Sequence, residues 1–282
     1  MSASAGPVDR HLRIENHEHL GAAHYLLTLA TEDAIPSWDP GQFAMISVGQ
    51  AGPSSDPLLR RPFSIYNRPG AHRGAGDGQL QIFYKVLGRG TGILSTAPPG
   101  GTIRCLAPLG NGFAPTRPDG ARLLLVAGGI GAASLHPLGL AEKAQGREPL
   151  MLYGCRNAAD LAGVTQTVAA GIDTLIATDD GSAGRRGLAG DLLDSFLSDE
   201  GPSARERWVI CSCGPTPMMK AVAVVAARHE VRCYVSLESP MACGFGVCVG
   251  CVVATRELPD GPAHFRRICV EGPVFDAARV CW

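Results

Sequence analysis

Ten cysteines stand in the chain, and four of them gather near its C-terminus with a spacing that suits metal chemistry. Cys243, Cys248 and Cys251 follow the pattern C-x4-C-x2-C, and Cys269 comes 18 positions later. A plant-type [2Fe-2S] cluster uses thiolates spaced in this way. Gly244, Gly246 and Gly250 lie between these ligands, where glycine permits positive φ and leaves backbone N–H groups free to point at cluster sulfurs. On the cysteines alone, a zinc site and free thiols stay open, although structural zinc more usually takes paired CxxC knuckles. Disulfides are not the expectation, because cysteine is much sparser here than in secreted disulfide scaffolds. The other six, Cys105, Cys155, Cys211, Cys213, Cys233 and Cys281, are scattered and read as small buried apolar residues.

A second set of residues suits phosphate and dinucleotide chemistry. Arg60-Arg61-Pro62-Phe63-Ser64 lies between a loop and an apolar stretch, where an arginine can pair with a phosphate and a hydroxyl can meet a ring edge. An exposed arginine pair on an edge strand is the plainer alternative. Tyr84-Lys85-Val86 leads into Gly88-Arg89-Gly90-Thr91-Gly92 and then Ile93 to Ser95, a glycine-rich loop opening a short helix whose amides can hold a pyrophosphate. Further on, Gly128, Gly129 and Gly131 follow a buried apolar run and open a helix. That is the context a dinucleotide loop needs, although the spacing is GGxG rather than GxGxxG, and close strand–helix packing explains it equally simply. Tyr153 to Asn157 and Cys213-Gly214-Pro215 mark two more strand ends, the place where open α/β sheets bind ligands. Asp179 and Asp180 follow another strand. They can bond ribose hydroxyls and repel a 2′-phosphate, favouring NAD over NADP, or they form a solvated turn. Arg185 and Arg186 lie close enough to argue the other way.

The elements that must position these residues fall into three textures. Up to about residue 116, short alternating strands such as Tyr25–Leu29, Gln42–Val48 and Leu80–Val86 are bounded by turn residues, which predicts an antiparallel β-barrel. From Arg122, the continuous apolar run Leu123–Ala127 suits a parallel strand buried on both faces. Further strands at Leu150–Tyr153, Thr174–Thr178, Trp208–Cys211 and Arg232–Val235, with helical sequence to Gln145 and over Thr216–His229, predict a doubly wound parallel sheet. Past about residue 236 the rhythm is lost, and a small irregular module carries the cysteine cluster. The expected domains are therefore 1–116, 117–235 and 236–282, in keeping with a chain of 282 residues at about 100–200 residues per domain. The formal net charge of -1 gives no footprint for nucleic acid. No apolar run reaches the roughly 18 to 20 residues of a membrane span, and Met1 to Arg13 has no signal-like core. The expected location is cytoplasmic, without membrane contact.

Taken together, the RRPFS and GRGT segments, the GGIG and CGP turns and the C-terminal cysteines resemble the ferredoxin-NADP reductase superfamily. Ser236 to Gly244 with its MACG entry, and Ile268 to Phe275 with its GPVF exit, are similar to the electron-transfer subunit of class 1B dihydroorotate dehydrogenase. The resemblance covers almost the whole chain. It implies one FAD held by the barrel, contacted by Arg61, Pro62, Phe63, Ser64, Tyr84, Lys85, Val86, Gly90 and Thr91. It implies one [2Fe-2S] cluster on Cys243, Cys248, Cys251 and Cys269, and NAD(H) as co-substrate at the second domain. It also implies a partner, the FMN-containing dihydroorotate dehydrogenase catalytic subunit, in a heterotetramer serving pyrimidine biosynthesis. Cys213, Gly214 and Glu238 are candidates to line the hydride path, with Glu238 readable equally well as a surface carboxylate at a strand end. Longer loops at 50–59 and 71–78 depart from the family's minimal form. Phe245, Val247 and Val249 are expected to turn outward toward the FMN chain, with the cluster module distant from the flavin barrel. Two other readings use the same residues: an NAD(P)H-dependent flavin/iron-sulfur reductase feeding an oxygenase or a bifurcating partner, and a zinc-stapled nucleotide-binding protein.

Overall fold

Alternation of inward apolar residues builds the first half of the protein. The computed structural model describes residues 6–33, 35–48, 56–66, 78–258 and 260–282. Most of the loops at 50–59 and 71–78 lies outside them. Strands β1 (Val8–Gly21), β2 (His24–Ala30), β3 (Phe43–Ile46), β4 (Arg61–Ser64), β5 (Gln79–Lys85) and, after the short helix α1 (Arg89–Leu94), β6 (Thr102–Leu109) pair antiparallel in the order β4-β3-β6-β1-β2-β5. A hydrogen bond from the Tyr66 N–H to the Gln81 carbonyl, 2.7 Å, draws the two outer strands together and nearly closes the barrel. Leu12 and Ile14, Leu27 and Leu29, and Leu80, Ile82 and Tyr84 fill it from three strands, each set at the period of two that a pleat imposes.

The second half is covered on both sides. Its elements are β7 (Arg122–Gly128), α2 (Ala132–Lys143), β8 (Leu150–Cys155), α3 (Thr165–Ala169), β9 (Asp173–Thr178), β10 (Arg185–Arg186), α4 (Ala189–Glu200), α5 (Ala204–Arg207), β11 (Trp208–Cys213), α6 (Thr216–Arg228) and β12 (Cys233–Ser236). Leu124 and Val126 of β7 join one core with Leu193 and Val222 from α4 and α6. Leu123 and Leu125 of the same strand join another with Leu135 and Leu138 from α2. A strand buried on both faces reads as an unbroken apolar run, which is why β7 is so plain in the sequence. Cys211 and Cys213 lie in that second core, and Cys105 in the barrel, as buried apolar residues.

Beyond β12 come a hairpin, β13 (Val252–Thr255) with β14 (His264–Arg267), the single turn α7 (Ile268–Glu271) and β15 (Val274–Asp276). The last strand pairs antiparallel with β12 and completes a seven-stranded sheet of order β10-β9-β8-β7-β11-β12-β15. The irregular character expected past residue 236 therefore holds only as far as Cys251, before the hairpin. The cluster segment is also not distant from the barrel. Gly244 packs on Met45 of β3 so closely that a Cβ there would collide with the methionine side chain. Helix α1 begins at Arg89, inside the glycine-rich stretch, rather than at Ile93. Among the described residues no helix is long and apolar enough to cross a membrane.

Barrel and sheet meet along an aromatic seam, where Tyr66 stacks on His136 of α2 at 4.5 Å and 13°. Burial pushes the His136 imidazole down to about 4, so it stays neutral in that stack. Beneath the sheet domain Glu142 is 5 % exposed and accepts from Arg147 at 2.7 Å and from Arg117 at 2.6 Å. Burial alone would raise its pKa, but the hydrogen bonds from Arg147 and Arg117 outweigh this and lower it. A carboxylate depressed in the folded state stabilises above its unfolded value, near 4.3, and loses that contribution as pH falls through the folded value. Glu142→Gln is expected to lower unfolding free energy at pH 7 by roughly 3 kcal/mol, the cost of breaking a buried ion pair. Urea melts of both proteins should converge as pH drops below 4; a constant gap would refute the electrostatic origin.

Candidate functional site

A cavity of about 730 Å³ lies between the barrel and the carboxyl edge of the parallel sheet, within the roughly 300–1,000 Å³ usual for ligand sites. From the barrel it is lined by Arg61, Pro62, Phe63 and Ser64 on β4, by Tyr84 and Lys85 on β5, and by Gly90 and Thr91 on α1. The structure thus brings together all the expected barrel positions except Val86, which is not in its wall. The two adjacent arginines separate in role. Arg60 donates to both oxygens of Asp9, at 2.9 and 2.8 Å, whereas Arg61 lies on the cavity wall. A Cβ on Gly90 would come within 3.4 Å of the Arg61 Nε, so glycine leaves the guanidinium its place at the rim. The Thr91 hydroxyl accepts from the Leu87 and Gly88 amides, at 2.9 and 3.2 Å, and holds the loop in shape.

Across the cavity stand Cys213, Ser236 and Glu238 from the ends of β11 and β12. Burial, then the Glu238 carboxylate, push the Cys213 thiol well up, leaving a neutral wall. Burial by the surrounding protein raises the Glu238 carboxyl as well, although the open cavity leaves the side chain in contact with water. Lys85 is anchored from the sheet side by Asp160, Nζ to Oδ1 2.5 Å, which ties the two halves at the cavity edge.

Gly128, Gly129, Gly131 and Gly214 lie outside this wall. Side chains at Gly131 and Gly214 would run into the opposite strand exit, Gly131 against the Cys213 carbonyl and Gly214 within 3.0 Å of Gly128. Gly128 similarly faces the Met218 sulfur. These three glycines let the turns after β7 and β11 touch. Gly129 differs: its φ is +52 and nothing lies within 4 Å of a Cβ built there, so its backbone is open to a ligand. The pocket reaches the neighbouring Ile130, Ala133 and Thr216. Asp179 and Asp180 occupy an exposed turn at the end of β9, where the Asp180 Oδ1 accepts the Ser182 N–H at 2.9 Å and the Arg186 side chain packs over Gly181.

The four C-terminal cysteines arrive in two pairs. Cys243 is within hydrogen-bonding reach of Cys248, and Cys269 of Cys251; the Cys269 N–H also points at the Cys251 sulfur, 3.4 Å away. Burial would raise the Cys243 thiol, but the amides of Cys248, Phe245 and Val247 aimed at its sulfur overcome this and hold it down to about 6. Two thiolates per iron is what a [2Fe-2S] cluster requires, and amides directed at sulfur favour the thiolate. Among the described residues no three potential ligands converge on a point as a single ion asks. Gly244 and Gly246 take φ of +83 and +90, and Val249 takes +54, a strained value for a β-branched residue, held at about 1–3 kcal/mol where surroundings over-determine it. Phe245, Val247 and Val249 are 52 %, 74 % and 56 % exposed, outward as expected.

Sequence reasoning missed the arms that join cluster to cavity. Met241, before the first ligand, and Pro273, after the last, both line the cavity. Asp160 and His17 were missed too; each acts across a domain or a barrel, and neither sits in a local motif.

Residues 238–281 match the iron-sulfur cluster binding domain of dihydroorotate dehydrogenase B. The chain is 36% identical over 257 residues to the dihydroorotate dehydrogenase B (NAD(+)) electron transfer subunit of Bacillus caldolyticus, covering 91% of this chain and 92% of that one. It is 34% identical over 271 residues to the subunit of the same name from Bacillus velezensis, covering 96% and 98%. A solved structure of an NADH-dependent reduced ferredoxin-NADP oxidoreductase, studied for flavin-based electron bifurcation, aligns over 100% of this chain and 92% of its own, with a TM-score of 0.76 and 27% identity. The ferredoxin reductase in carbazole 1,9a-dioxygenase shares the fold, with a TM-score of 0.64 at 20% identity over 80% of this chain and 67% of that one. With this similarity along nearly its full length, and with the paired cysteines in place, the chain belongs to the family of dihydroorotate dehydrogenase B electron transfer subunits.

Proposed function

We propose that this chain delivers to NAD the electrons that an FMN-containing catalytic subunit takes from dihydroorotate in pyrimidine biosynthesis. The observation that carries this reading is the shared cavity: barrel motif, strand end Cys213 and both arms of the cluster segment form one wall. FAD bound there, beside a [2Fe-2S] cluster, supplies the conversion between the electron pair of a nicotinamide and single electrons. In this reading residues 1–116 serve FAD, 117–235 serve NAD and 236–282 serve the cluster, with β15 of the last stretch added to the second domain's sheet. Arg61 supplies charge to a phosphate, Phe63 and Tyr84 form the aromatic wall, and the neutral Cys213 thiol with Glu238 flanks the nicotinamide approach. The open backbone at Gly129, with Gly128 and Gly131 shaping its turn, receives the dinucleotide, and Asp179 and Asp180 meet its ribose. Ten cysteines, four of them in the ligand set and six scattered without the spacing of a disulfide scaffold, fit a reducing cytoplasm. Partner contact falls on Phe245, Val247 and Val249, whose exposed apolar surface surrounds the ligand loop.

A second reading, a reductase supplying a bifurcating or oxygenase partner, draws on the likeness to the ferredoxin-NADP oxidoreductase. Co-purification separates the two. A stoichiometric FMN-containing chain that oxidises dihydroorotate supports the first; a different acceptor chain supports the second.

Four outcomes are expected. Acid should release FAD from the purified protein; FMN alone would overturn the cavity assignment. Arg61→Ala should weaken FAD retention by about 1.5–3 kcal/mol, the worth of a charge-assisted hydrogen bond, read as a rise in the FAD dissociation constant. In dye reduction, kcat/KM with NADH should exceed that with NADPH by about tenfold through repulsion at Asp179 and Asp180, and equal values would count against their role. Cys248→Ser should abolish the [2Fe-2S] signal, because the thiolate is lost. FAD should stay bound, since the contacts of Gly244, Met241 and Pro273 with the barrel and cavity do not involve Cys248. NADH-driven dye reduction should persist while dihydroorotate-to-NAD transfer in the reconstituted complex collapses. Loss of flavin with the cluster would mean that the loop holds the cavity together.

A further inference from the structure

His17 lies on β1 beside the cavity and uses both ring nitrogens. Its Nδ1 is 2.9 Å from the Ala97 carbonyl oxygen, and its Nε2 is 2.8 Å from the Tyr84 hydroxyl. A carbonyl can only accept, so Nδ1 carries the hydrogen, and in that tautomer Nε2 accepts the hydrogen of the Tyr84 hydroxyl. Tyr84 is 2 % exposed and forms part of the cavity wall. Its ring is fixed on one side by Tyr25, stacked at 5.5 Å and 17°, and approached on another by Phe63, at 5.8 Å and 71°. Ala97 belongs to the turn that ends α1: its N–H bonds the Leu94 carbonyl at 3.0 Å, and the Ser95 N–H bonds that of Thr91 at 3.0 Å. The first residues of that same helix, Arg89, Gly90 and Thr91, form another part of the wall. One imidazole therefore links two separate parts of the cavity that are 13 residues apart in sequence, Tyr84 and Ala97.

We propose that His17 is a positioning residue for the flavin, holding the Tyr84 wall and the α1 rim at a fixed separation so that the cavity is preformed before FAD enters. It rests on the reading that this cavity holds FAD. The side chain does not need to touch the ligand. Its effect lies in preorganisation: a wall and a rim free to shift would have to be ordered on binding, and that cost would appear as faster release. A histidine serving the barrel alone would lower stability without altering how fast flavin leaves the folded protein.

The test uses the full chain as purified, with FAD release followed by the rise of free-flavin fluorescence and the [2Fe-2S] absorption as a control for folding. His17→Leu removes both bonds and should release FAD about tenfold faster, as expected for one or two net hydrogen bonds. His17→Gln, whose amide offers one donor and one acceptor, should restore most of the wild-type rate. Tyr84→Phe removes only the hydroxyl and should give a smaller acceleration. In the His17→Leu background Tyr84→Phe should add nothing, or recover part of the loss by removing an unsatisfied buried hydroxyl. Wild-type release rates in His17→Leu, or effects that multiply in the double variant, would overturn the proposal. Should His17→Leu not fold, a wild-type rate in Tyr84→Phe overturns it just as well. If the wild-type protein yields no FAD on acid release, the cavity assignment fails first, and the two failures are told apart.

Discussion

Two hydrogen bonds fix where the cluster segment lies, and the site depends on them. The Asn111 amide at the end of the barrel donates to the Gly272 carbonyl at 2.7 Å, and the Leu237 amide after β12 donates to the Pro273 carbonyl at 2.8 Å. One dipeptide is thus bonded to both domains at once. The distance between barrel and sheet is set by a strand of backbone that begins three residues after the last cluster ligand. Gly110 makes this possible, because a side chain there would press on Pro273, Gly272 and Phe43 together. An electron carrier needs its redox groups close and at constant separation. Here the polypeptide that carries one group is the spacer for the cavity that suits the other.

The charges around the cavity are arranged so that few are left loose. Asp160 holds Lys85, Asp9 holds Arg60 and Arg104, and the Cys213 thiol is kept neutral. Arg61 donates from Nη1 to the Leu59 and Arg60 carbonyls, at 2.8 and 3.3 Å, and lines the wall. Such a cavity presents mostly aromatic and aliphatic surface with a cation at its rim. That suits a ligand with a flat apolar ring system and an anionic linker.

How much of this was legible follows from whether the signal is local. The cysteine spacing, the RRPFS motif and the doubly buried β7 each lie within a single stretch of chain, and each was readable, although the motif reads as lying beside a strand and not in one. β1 was not, because only Leu12 and Ile14 break the polar run from Arg10 to His19. Its inner face contributes little hydrophobic signal, and much of its outer face is polar. The return of β15 to the sheet is hidden for another reason: three residues, Val274 to Asp276, are too few to show a period. His17 and Asp160 could not be found by motif, since their meaning comes from partners 67 and 75 positions away. The glycines after β7 were readable as a turn, but only coordinates separate Gly129, which is open, from Gly128 and Gly131, which are needed for packing.

The placement of Gly272 and Pro273 also has a consequence for synthesis. The barrel strands β1 to β6 pair only among themselves, and β7 to β12 need no partner outside their own half except β15, so each half can form before β15 is made. Asn111 and Leu237 must wait. Their acceptors, Gly272 and Pro273, come 161 and 36 residues later, so these two bonds form only after all four cluster cysteines have been made. Long-range contacts of this kind close late and are slow to find. A nascent chain stalled near residue 270 would have its halves joined by the Lys85–Asp160 pair and the Tyr66–His136 stack, but would lack the dipeptide that ties the cysteine segment to both. Cofactor loading into a fully braced cleft therefore follows the synthesis of Gly272 and Pro273.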